Sequence, residues 1–219
     1  MVIRISTKNS QSDRHPLPFG VYGLLSITFG IIGDLLAYIF YPGYNFIEKA
    51  VSSLCKGPGG LFFQIGSVIS GIFAIPFVIY LNDSFNPDYI EENLKKKAII
   101  VALISCTCLI ILGVFCGSNP IIALIHGIFA FTSWIFGLLY ITFFNIFMLR
   151  DPKYIKSLSL FGFCVTFLLT LFLVLFFSSF VPSLRFLVII LPSIEWINTI
   201  AIIVWYFIVS LYTLIKKVN

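Results

Sequence analysis

The sequence predicts an all-α polytopic membrane protein. It has six transmembrane helices, both termini in the cytoplasm, and a short amphipathic helix in the first outer loop. Three observations predict this. The chain of 219 residues is 59% hydrophobic and 11% charged, with mean hydropathy +1.05, whereas soluble domains carry about 25% charged residues. So few charges cannot cover a water-facing surface. The apolar runs exceed roughly 18 residues with few interruptions, as bilayer-spanning helices require, and lack the alternating pattern of an outer-membrane barrel. The positive charges, finally, concentrate on one set of connections.

Taken in order, residues 1–18 are polar and lack the n-region, short h-region and cleavage site of a removable signal peptide. They read as a cytoplasmic tail before a retained anchor, with 19–219 a single membrane domain. The spans fall at 19–40, 60–81, 98–116, 120–149, 157–181 and 194–215. An even number places both termini on one side. Of the 14 Lys and Arg, eleven share that side: Arg4, Lys8, Arg14, Lys95, Lys96, Lys97, Arg150, Lys153, Lys156, Lys216 and Lys217. Lys49, Lys56 and Arg185 fall opposite. The positive-inside rule makes the richer side cytoplasmic and the expected location the plasma membrane.

The first outer loop, 41–59, is the most organised connection. Pro42-Gly43 suits the centre of a type II turn, because Gly tolerates positive φ. Asn45 and Glu48 have the spacing of a capping box, and Gly57-Pro58 supply a stop. Between them Phe46, Ile47, Ala50, Val51 and Leu54 share one helical face, opposite Glu48, Lys49, Ser52, Ser53 and Lys56. This pattern predicts an amphipathic helix over 46–56 at the outer membrane surface; an irregular loop is the alternative. Span two holds Gly66, Ser67, Ser70 and Gly71, and span three ends in Gly113-xxx-Gly117, patterns that permit close helix approach. Pro76 predicts a kink in span two. The connection 82–97 has an acidic half before its three lysines and reads as a solvated helix start. Gly117-Ser118-Asn119 makes spans three and four a tight hairpin. Span four, at about 30 residues or ~45 Å, must tilt or protrude. Span five reads as a lipid-facing helix without polar content.

Burying an ionisable group in hydrocarbon costs several kcal/mol unless it is paired, neutralised or hydrated. Asp34 therefore stands out, about seven residues below Tyr41 and ~10 Å inside the outer boundary. Gln64, His126 and Glu195 lie at a comparable level on three other spans. Polar groups at one depth predict a hydrated pocket open to the outer leaflet or external face, with Tyr41 and Tyr44 at its rim. Each member also has a plain structural reading. Asp34 can bond a neighbouring helix, His126 can be an interfacial histidine, and Glu195 suits a helix N-terminus electrostatically.

No cofactor is predicted, and one intramembrane histidine is too few for a typical zinc site. Ser53, His126 and Asp34 have the residue types of a nucleophile, base and orienting acid, but no nucleophile-elbow motif accompanies them. Of the five cysteines, Cys106, Cys108 and Cys164 read as small apolar residues. Cys55 and Cys116 share the outer side, where a disulfide is one possibility.

Gly33-Asp34, Tyr41-Pro42-Gly43-Tyr44, Glu48 and Ser52-Ser53-Leu54, followed by His126 early in span four and Glu195 opening span six, resemble the prokaryotic membrane family catalogued as domain of unknown function 998. The resemblance covers most of the chain and is most specific over 33–71. It implies six spans and the same site residues. It also implies a distant similarity to the eukaryotic FRAG/DRAM/Sfk group, which is six-helix and linked to membrane-lipid handling.

Three functional readings follow. The first is binding or handling of a lipid or amphiphile in an outer-facing pocket, with Asp34, Tyr41, Tyr44, Gln64, His126 and Glu195 as ligand-binding residues and Lys49, Lys56 or Arg185 available to an anionic headgroup. The second is an intramembrane lipid hydrolase or acyltransferase using Asp34, His126 and Ser53 or Glu195. The third is a proton- or ion-coupled transporter, although no repeat of three plus three spans is visible. Expected partners are membrane lipids, not nucleic acid.

Overall fold

The computed structural model describes residues 18–216. The tail expected at 1–18 lies outside the described residues except for Pro18, as does Lys217. Six helices are long and apolar enough to cross a membrane: α1 (Phe19–Ile39), α2 (Gly60–Ser84), α3 (Glu92–Val114), α4 (Pro120–Arg150), α5 (Lys156–Ser178) and α6 (Leu191–Ile215). No strand occurs among the described residues.

Each helix packs on its neighbours in sequence, and α6 returns to α1, closing a ring. Small residues allow the closest approaches. A Cβ placed on Gly66 of α2 would come within 2.7 Å of the Gly33 Cα on α1, and the reverse holds for Gly33. Gly71 meets α3 at Cys106 and Ile110, and Gly113 meets α2 at Gln64 and Ser67. The small-xxx-small spacing thus sits where helices without a hydrophobic drive between them must gain contact by proximity.

The face carrying the chain ends is densely filled. Phe77, Phe85, Phe144, Phe147, Met148 and Trp205 are fully buried there in one cluster. Trp205 Nε1 donates to Asn145 Oδ1 at 3.1 Å, and Tyr140 and Tyr206 share a hydrogen bond of 2.9 Å. The connections on this face are wired together. Buried Asp151 accepts from the Asn86 and Lys153 amides, both at 3.0 Å. Lys95 is buried and donates to Phe85 O at 3.0 Å, so the 82–97 connection is not simply solvated. Tyr154 bonds Ser84 at 2.6 Å, and burial pushes its hydroxyl above the ordinary range.

Three expectations are corrected. The helix expected over 46–56 is instead a single turn at 45–49 followed by a 3-10 helix, Val51–Lys56. Asn45 uses Oδ1 to accept the Ile47 amide at 2.9 Å, and its carbonyl accepts the Glu48 and Lys49 amides. Ala50 is then extended. The carbonyls of 49 and 50 accept from the Tyr44 hydroxyl within the loop, and Lys49 O also from Trp196 of α6. These bonds, with the one from the Ser52 amide to Glu195, outweigh the local helical pattern. Gly57 is not in the left-handed region expected of a helix-ending glycine; its smallness is needed because a Cβ there would run into the Tyr41 ring. Span five is only half lipid-facing. Ser159 and Thr166 lie on its buried face, Ser159 Oγ donates to Asn145 O, and α5 packs between α4 and α6.

Other features match. Tyr44 N donates to Tyr41 O at 3.2 Å across Gly43, whose φ is +70°, the geometry of a type II turn. Asn119 caps α4 by accepting the Ile121 amide at 2.9 Å, with Pro120 in the first turn.

Candidate functional site

At the end of the ring opposite the chain termini, the 40–59 segment folds over the bundle as a cap. Several attachments hold it, among them a weak bond from Ser193 Oγ to Ile47 O at 3.4 Å. Glu195 Oε1, in the first turns of α6, accepts the Ser52 amide at 3.0 Å. Trp196 Nε1 donates to Tyr44 Oη at 3.0 Å and lies 3.1 Å from Lys49 O. Cys55 forms a disulfide with Cys116, beyond the end of α3, with Cα atoms 5.3 Å apart. The Tyr44 hydroxyl proton is shared between Ala50 O at 2.6 Å and Lys49 O at 3.0 Å. Burial pushes this hydroxyl above its ordinary value of 10.0, while the Trp196 bond works the other way. Tyr38, Tyr44, Phe46 and Trp196 pack ring against ring above the mouth.

Beneath the cap lies a partly open cavity of about 200 Å³. It is lined by α1, α2, α3, α4, α6 and the start of the 3-10 helix, with no residue from α5. Its walls follow one face of each helix: Ser26, Gly30 and Asp34 on α1; Phe63, Ser67, Ser70 and Ala74 on α2; His126, Ala130, Ser133, Trp134, Gly137 and Tyr140 on α4. On α6 the same face carries Glu195, Thr199, Ile202, Ile203 and Tyr206. From His126 to Tyr140 the α4 wall descends roughly 20 Å at 1.5 Å per residue.

The polar groups are layered. Asp34, His126, Glu195 and Ser52 occupy the capped end. Midway, Ser26 and Ser70 bond across α1 and α2 at 3.2 Å, and the Ser105 and Ser133 hydroxyls donate to each other's carbonyls across α3 and α4. The bonded Tyr140–Tyr206 pair forms the floor. The mid-depth and floor polar groups are thus largely satisfied by one another. The capped end is different. His126, 7% exposed, places Nδ1 2.9 Å from Leu112 O. In that tautomer Nδ1 carries the proton and Nε2 keeps a lone pair, and Nε2 is buried without a hydrogen-bond partner. No hydrogen bond or ion pair joins Asp34 to another described residue.

Of the residues singled out in the sequence, Asp34, His126 and Glu195 line this cavity together. Gln64 does not: its Nε2 donates to Cys116 O at 3.1 Å, tying α2 to the end of α3. Tyr41 and Tyr44 belong to the cap, where Lys49 Nζ sits 4.5 Å above the Tyr41 ring. Lys56 and Arg185 are exposed, and no Lys or Arg lines the cavity. Ser53 is also absent from the lining, where its neighbour Ser52 appears. No Ser–His or Asp–His hydrogen bond occurs among the described residues. Nor do these hold three or more His, Cys, Asp or Glu side chains placed for a metal ion.

These features define a six-helix integral membrane protein with a capped interhelical cavity. The chain belongs to the family described as protein of unknown function (DUF998), whose sequence model matches residues 24–212. No curated protein and no solved structure matches it.

Proposed function

We propose that the protein binds a single-chain lipid or comparable amphiphile in the capped cavity. One observation carries this reading: an elongated, largely apolar space whose unsatisfied polar groups gather at one end. That is the polarity pattern of an amphiphile, and ligand sites in general combine an apolar lining with a few placed polar groups. Size narrows the ligand. At about 30 Å³ per water-sized unit, ~200 Å³ holds roughly seven units. This suits one short alkyl chain or one segment of a longer chain.

The distribution of Lys and Arg supports cytoplasmic termini, so the capped end faces outward and the ligand enters from the outer leaflet or the external phase. The hydrolase reading gains no comparable support, because no Ser–His or Asp–His hydrogen bond occurs among the described residues and Ser53 does not line the cavity. The test is extraction and mass spectrometry of molecules that copurify with the full chain. A single-chain amphiphile, present in the wild type and depleted in Ala130→Phe, is expected. Equal recovery from both proteins would contradict the proposal.

A further inference from the structure

The reading above leaves the head group open, and the chemistry of the capped end specifies it. We propose that the amphiphile is cationic: an organic ammonium whose charged end meets Asp34 and Glu195 and whose apolar body runs down toward Trp134. The proposal rests on the cavity being an amphiphile site.

Asp34 and Glu195 reach the cavity from α1 and α6, and nothing among its lining residues carries positive charge. Glu195 already accepts the Ser52 amide with one oxygen, which leaves Asp34 as the cavity carboxylate without a bond to another described residue. A third group, independent of the carboxylates, has the same sense. His126 is buried on the cavity wall with Nδ1 directed to Leu112 O, so the unpartnered Nε2 offers a lone pair. With both carboxyls ionised, all three groups accept. An anionic head would face two carboxylates and a lone pair with no guanidinium or ammonium to receive it. An ammonium brings up to three donors and no acceptor, the complement of what the site displays.

The lysines and Arg185 that would suit an anionic headgroup lie elsewhere. Lys49 donates to Gly43 O and stands over Tyr41 in the cap. Depth also agrees. Trp134 lies ~12 Å below His126 along α4, near the length of an eight-carbon chain.

The experiment titrates 8-bromooctylammonium, 8-bromooctanol and 8-bromooctanoate into the full chain in neutral-lipid nanodiscs. It reads bromine quenching of tryptophan fluorescence, and Trp134→Phe identifies the component arising in the cavity. The ammonium should saturate that component at a concentration about tenfold lower than the alcohol, the size of one hydrogen bond to a charged group, with the carboxylate weakest. The chain's formal charge of +5 works against nonspecific attraction of the ammonium. Asp34→Asn should bring ammonium and alcohol within about threefold of each other. The alcohol signal reports whether this variant is folded; Glu195→Gln replaces it if that signal is lost. Ammonium binding no tighter than the alcohol in the wild type overturns the cationic assignment and leaves the amphiphile site standing. No saturable Trp134 component from any of the three overturns both.

Discussion

The half of the bundle near the chain termini and the half beneath the 40–59 segment are built from the same six helices but filled differently. Near the termini, large aromatic side chains are buried together, and Asn145 accepts from both Trp205 and Ser159. Beneath the cap, the same helices present serine, glycine and alanine inward and leave a cavity. The two buried aspartates differ in the same sense. Near the termini Asp151 accepts two amides, whereas Asp34 bonds no other described residue. The packed half holds the ring closed so that the other half can remain hollow. The hollow half then depends on covalent and cap contacts for its order.

The contrast can be broken from either side. The largest effect is expected from Trp205→Ala, which deletes the biggest fully buried side chain. Such truncations cost about 3–5 kcal/mol, so this variant should fail to give a folded monomer on size exclusion in detergent. Reduction of Cys55–Cys116 should cost less, within about 2–4 kcal/mol, because it frees the cap and leaves the packed half untouched. A lower melting temperature with retained helicity by circular dichroism is expected; loss of helicity on reduction would mean that the halves are not separable.

The pH response of the cap is the smallest effect. The folded-state pKa of Tyr44 lies above its ordinary value of 10.0, so its contribution is complete below that pH. It is lost only as pH rises through the higher folded value. Cap proteolysis should thus be unchanged from pH 6 to 9 and rise only in stronger alkali. Tyr44→Phe should abolish that alkaline step.

The six spans were legible because length and apolarity suffice to identify a membrane helix, and the observed ends differ from the expected ones by a few residues, apart from α3, which begins at Glu92. The Tyr41–Tyr44 turn was legible because Pro and Gly restrict the backbone locally. The 46–56 helix was misjudged because its periodicity competes with bonds from Glu195 and Trp196, residues more than a hundred positions away. Asp34, His126 and Glu195 were found by depth, which a sequence supplies for each helix separately. Gln64 shared the depth but not the direction. The facing stripes were present in the sequence at helical spacing, as in Ser26-Gly30-Asp34 or His126-Ala130-Trp134. They mark the cavity only once the order of helices around the ring is known. Asp151 and Lys95 could not be recognised as buried from their positions in charged connections.

The central claim is that one half is packed and the other hollow, and the same substitution placed in each half tests it. Ala102 is 0% exposed within the packed cluster; Ala130 lines the cavity. Ala102→Leu should lower stability by about 1–3 kcal/mol, the cost of overpacking. Ala130→Leu should leave it unchanged or raise it, as methylene groups fill open space at up to about 0.8 kcal/mol each. The decisive measurement is the melting temperature of the two variants beside the wild type, in one detergent and without added ligand. A clear fall for Ala102→Leu with none for Ala130→Leu is the predicted result. Equal falls in both would contradict the account.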